Sequence, residues 1–197
     1  TIAGVNITTT SDSITFSGQV SLTTAGVSIN TVSGDITFGD ALNGRQALTL
    51  TAGAGNITFT GAVGDTTTLA SLTVVSAGDI SIGNTMKVNG AVSIAGDSGV
   101  DIFLGTAGDG LSLTDAELDL ITEAGSLAIT ATGAGASITV NEVTGGGSVN
   151  GETLLTSNVD GVFFVTTAST FNNSLAVVAN DVAVDALLGV TGSLSFT

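Results

Sequence analysis

Carboxylates are the side chains best placed to do chemistry in this chain. Asp97, Asp101, Asp109, Asp115, Glu117, Asp119 and Glu123 fall within 27 consecutive residues. A calcium ion needs six to eight oxygens, which clustered carboxylates and loop carbonyls can supply. The spacing matches neither the EF-hand loop nor the glycine–aspartate nonapeptide of calcium-binding β-rolls. The expectation is therefore a solvated acidic face, with calcium as the alternative and no other cofactor. Paired carboxylates also hydrolyse glycosides. The chain has no Trp, Tyr or His, and only Arg45 and Lys87 are basic, so little is available to grip a sugar acid. It also has no Cys. The commonest transition-metal ligands and the Cys- and His-based nucleophilic mechanisms are thereby removed. No catalytic residue is assigned, and an enzyme is not expected.

Hydroxyls offer a second candidate. Thr8/Thr10, Thr49/Thr51, Thr58/Thr60 and Thr130/Thr132 are Thr-x-Thr pairs of the kind that a flat ice-binding face would repeat. Thr is also simply a favoured outward strand residue. Gly145-Gly146-Gly147 has no following Lys and reads as a turn or linker, not a phosphate loop.

Charge excludes whole classes of partner. Seventeen acidic residues against two basic ones give a net charge of −15 over 197 residues. Nucleic acids and anionic membrane surfaces would be repelled. No run approaches the roughly 18 apolar residues of a membrane helix. The chain does not begin with Met and carries no evident signal peptide, so the expectation is a mature product or an excised segment.

The elements that hold these side chains repeat. Apolar-x-apolar triplets mark strands with one face turned inward. One ladder is Ile14/Phe16, Ile36/Phe38, Ile57/Phe59, Ile80/Ile82 and Ile102/Leu104, with steps of 22, 21, 23 and 22. A second is Val5/Ile7, Val27/Ile29, Leu48/Leu50, Leu72/Val74 and Val92/Ile94, with steps of 22, 21, 24 and 20. The two keep one phase, the second leading by 8 to 10 residues. Gly34-Asp35, Gly55-Asn56 and Gly78-Asp79 precede three of these strands. There Gly is expected to supply the positive φ of a corner. A period near 22 predicts an all-β, right-handed parallel β-helix, with the paired residues as continuous inward stacks. Thr15, Thr37, Thr58 and Ser81 then form an outward polar ladder. About nine coils would make a rod of roughly 43 Å. A third strand per coil, as at Val20/Leu22 and Met86/Val88, is irregular.

One domain over residues 1–197 is expected, with regular coils over 1–110 and less regular ones over 111–197. Strands continue at Leu111/Leu113, Leu127/Ile129, Ile138/Val140, Val162/Phe164, Leu175/Val177, Val182/Val184 and Leu194/Phe196. Their drifting spacing implies insertions or a bent axis, with a candidate break at 145–147. One short helix is predicted near 115–121. Thr114-Asp115-Ala116-Glu117 fits a capping box with Thr114 as N-cap, and Leu113 and Leu118 fit its hydrophobic staple.

The segment Ala47–Gly61 (ALTLTAGAGNITFTG) resembles the repeat text of very large bacterial exoproteins. So do Ser71-Leu72-Thr73-Val74 leading into Gly78-Asp79-Ile80, and Leu113–Asp119 (LTDAELD). The family is that of filamentous-haemagglutinin-like adhesins and β-strand-repeat surface proteins. The resemblance covers about residues 1–140 and the remainder weakly. It implies an extracellular or cell-surface location and a β-helical shaft with a structural or adhesive role. The partners expected are other copies or adjacent repeats through the solenoid ends, and a host or matrix surface. The carbohydrate-, calcium- or ice-binding module is the alternative.

Overall fold

The computed structural model describes residues 1–24, 26–145 and 149–197. The chain winds as a parallel β-solenoid of about 8 turns, with about 22 residues per turn and, among the described residues, one short helix. Among the described residues every ladder pairing is parallel and keeps the hydrophobic triplets in register, with shifts after Leu50 and after Ser157. Ile7 pairs with Ile29, Ile29 with Leu50 and Leu50 with Val74. Each inward residue therefore sits on its equivalent in the next coil, and one face of every strand is apolar.

Three faces build each coil. The long face stacks Asn6–Thr8, Val27–Asn30, Ala47–Thr51, Ser71–Ser76, Ala91–Ala95 and Ser126–Ala131. It continues through the first parts of Thr153–Phe164 and Leu175–Val184 to Leu194–Phe196. Eight inter-strand spacings make this stack about 38 Å long, one coil shorter than the sequence period implied. The Ile–Phe face begins with Ile14–Phe16, Ile36–Phe38, Ile57–Phe59 and Ile80–Ile82. Phe16, Phe38 and Phe59 stack there, with ring centroids 5.1 and 5.3 Å apart. The narrow face is present in every turn, but as two- or three-residue strands or single bridges. Examples are Val20–Leu22, Leu42–Gly44, the bridge at Val63, and Met86–Lys87. Strands this short leave almost no alternation to read.

The inward ladder is buried almost throughout. Ile36, Phe38, Ile57, Phe59, Ile80, Ile82, Ile102 and Leu104 are all within the core. So are Val27, Ile29, Leu48, Leu50, Leu72, Val74, Val92 and Ile94. Ile14 and Phe16, in the first coil, are half-buried. Each fully buried large side chain contributes about 1.5–3 kcal/mol. Gly145 lies in the short strand Thr144–Gly145, while Gly146 and Gly147 fall outside the described residues.

The corner glycines work differently from expectation. The left-handed residues at the corner before the Ile–Phe strands are Val32 (φ 60°) and Gly53 (φ 58°), two positions earlier than Gly34 and Gly55. Gly34, Gly55 and Gly78 are needed for room instead. A Cβ on each would come within 2.4 to 2.6 Å of backbone in the coil beneath. Tight coil-on-coil contact, not turn conformation, selects glycine there.

The largest departure from period lies between Ile94 and Ile129. These residues are paired neighbours, yet they are 35 residues apart. Within that turn the chain visits the Ile–Phe face twice, as Ile102–Gly105 and again as Leu111–Thr114, which pair with each other in parallel. Ile102/Leu104 does not rest directly on Ile80/Ile82, as the ladder implied. Leu111–Thr114 lies between them, in contact with Ile80–Ile82. The helix Asp115–Leu120 follows at once and leads to Ile121–Thr122 on the narrow face. Ile102 pairs onward with Ile138, and Ile138 with Val162, so the face resumes its order. In the last coils the long-face and Ile–Phe strands fuse into Thr153–Phe164 and Leu175–Val184, with one register shift between Ser157 and Gly161.

Candidate functional site

Several carboxylates that the sequence placed together are occupied with backbone. No ladder pairing joins Ile80–Ile82 to Leu111–Thr114, and two acidic side chains, Glu117 of that group and Asp79 from outside it, bridge that seam. The Asp79 carboxylate accepts from the backbone N–H of Ser112 at 2.8 Å and of Ile80 at 2.9 Å. Glu117 Oε1 accepts from the N–H of Ile82 at 3.1 Å. Its Oε2 accepts from the N–H of Thr114 at 3.0 Å and the Thr114 hydroxyl at 2.7 Å. The Glu117 N–H returns a bond to Thr114 Oγ1 at 3.3 Å, which completes the capping box. Leu113 and Leu118, the staple pair, are both buried in the core. Thus Thr114 and Glu117 cap the helix as expected, and Glu117 also serves as a strand partner.

Other members of the group act alike. Asp101 accepts from the Ser137 N–H at 2.8 Å and its hydroxyl at 2.9 Å. Asp115 accepts from the Thr144 N–H at 2.7 Å and its hydroxyl at 2.5 Å. Asp119, on the helix, has its carboxyl pushed above the ordinary range by burial and then by the neighbouring Asp115 charge. Among the described residues no three Asp or Glu side chains converge into a metal-sized group. The Thr-x-Thr pairs are dispersed too. Only Thr49 and Thr51 lie together in one strand, flanked by Ser28/Asn30 and by Thr73 and Ser76.

A groove that the repeat pattern did not reveal lies along the narrow face. It has a volume of about 530 Å³ and is lined by Arg45, Lys87, Asp65, Glu123, Asn89 and the Thr66–Thr68 run, among others. The turn that forms it is long, since Leu50 pairs with Val74 24 residues later. The extra residues arch outward after Val63. Gly64 has φ +72°, and a Cβ there would come within 2.2 Å of the Lys87 carbonyl. Asn43 pins the arch, with Oδ1 accepting from the N–H groups of Thr66 at 3.0 Å and Thr67 at 3.4 Å. Lys87 meets Asp65 at 3.4 Å, with side chains 30% and 57% exposed. Arg45 is exposed and makes no ion pair among the described residues. The one available signal in the sequence was the pair of lone cations, 42 residues apart but on one face because that is about two coil lengths.

No protein-family model, no curated protein and no solved structure matches the chain.

Proposed function

We propose that this chain is a non-enzymatic structural segment of a secreted or cell-surface bacterial protein. It would form part of a fibre shaft or adhesin, with its end coils covered by further coils of the same kind. The observation that carries this reading is the pair of end surfaces. Val5, Leu194 and Phe196 are inward-phase residues of the first and last coils, and they are 45%, 43% and 46% exposed. Ile14 and Phe16 are only half-buried, and the outermost strands present unpaired backbone edges. Open apolar strand edges invite another strand. Adjacent repeats of a longer chain or another copy would supply one in matching register. The adhesive surface would be the exposed sides of the coils, facing host or matrix.

Electron microscopy of the purified chain, with and without calcium, tests this reading. Rods joined end to end are expected, lengthening in steps of about 40 Å. Leu194→Asp with Phe196→Asp should return them to single units. Single rods at every concentration, unchanged by that pair, would overturn end-to-end joining.

A further inference from the structure

The chain carries only two cationic side chains among 17 anionic ones, and both line the same narrow-face groove. Most of the groove's lining is polar, so the occupant it fits is a polar one.

We infer that the groove binds a monoanionic sugar of the hexuronate type. The volume of about 530 Å³ lies within the range of small-ligand sites, about 300–1,000 Å³. Among the described residues Arg45 offers a planar fork without a carboxylate partner, which suits a carboxylate. Thr66, Thr67, Thr68 and Asn89 supply neutral donors and acceptors for ring hydroxyls. Asp65 and Glu123 accept from hydroxyls and disfavour a phosphate or any multiply charged group. The −15 net charge penalises polyanions further. Among the described residues no aromatic side chain lines the groove, so recognition is by hydrogen bonds and not by ring stacking.

An NMR titration of the chain with D-glucuronate and D-galacturonate tests the site, with glucose and acetate as controls. At least one uronate should bind saturably and about tenfold more tightly than either control, because only it offers both carboxylate and hydroxyls. The shifted amides should map to Thr66–Thr68 and Asn89. Arg45→Gln should weaken uronate binding about tenfold or more. Arg45 is exposed, so the variant should keep the wild-type melting curve. Asp65→Asn, which frees Lys87, should tighten binding. Absence of saturable binding, equal binding of glucose, or an unchanged Arg45→Gln variant would overturn the inference. The outcome does not depend on whether the coils join end to end.

Discussion

Glu117 concentrates more structural work than any other charged residue described above. Its two oxygens hold the helix N-terminus and the N–H of Ile82 across a seam that lacks a strand ladder. Glu117→Ala would leave the Thr114 and Ile82 donors without partners. A loss of about 1–3 kcal/mol is expected in urea unfolding, with Glu117→Gln losing less because it keeps one acceptor oxygen. Asp119 acts in the opposite sense. Its carboxyl is held above the ordinary range by burial and by Asp115, so the folded state binds its proton more tightly than the unfolded state. The cost is absent at pH values below the unfolded pKa. It grows as pH rises and is complete above the folded pKa. Asp119→Asn should therefore stabilise the chain at pH 7 by about 0.2–0.5 kcal/mol, the size of an exposed like-charge helix pair. The gain should vanish near pH 3 in parallel thermal melts.

At the scale of elements, the long turn between Ile94 and Ile129 is a regular coil with an insertion. It exceeds the 22-residue period by 13 residues. In regular coils the Ile–Phe strand leads to the narrow face in four residues, as from Phe38 to Leu42 or Ile82 to Met86. Removing residues 106–118 would restore that four-residue step from Leu104 to Ile121 and let Ile102–Leu104 rest on Ile80–Ile82. The shortened chain is expected to fold cooperatively with an unchanged β-type circular dichroism spectrum. Loss of the folded baseline would mean that the extra strand and helix hold the two halves of the Ile–Phe face together.

At the scale of the whole molecule, like charge acts against the stack. Seventeen acidic side chains face two basic ones, and one ion pair is present among the described residues. Salt can therefore remove repulsion while disrupting almost no attraction. Raising NaCl from about 10 to about 150 mM shortens the Debye length from about 30 to about 8 Å. Tm should rise by a few degrees over that range in calorimetry. A fall would mean that the Lys87–Asp65 pair and the carboxylate bonds outweigh repulsion. The carboxylates that accept backbone N–H groups explain why so acidic a chain remains compact. Asp79, Asp101, Asp115 and Glu117 each receive at least two donors or bridge two segments.

The sequence by itself determined the coil. A period near 22 follows from the inward triplets, because stacked parallel strands place equivalent residues in register and solvent excludes any other phase. The capping box at Thr114 and Glu117 was equally legible, since it is a local pattern. Tertiary structure alone decided three things. It placed Leu111–Thr114 between strands that look consecutive in the text, because an apolar-x-apolar triplet carries no label for its level in the stack. It turned clustered carboxylates into backbone partners, because donors in neighbouring coils lie 29 to 36 residues away in the chain. It also brought Arg45 and Lys87 to one groove, because two residues 42 apart lie two coils apart on one face only when the chain closes its coil at a fixed length.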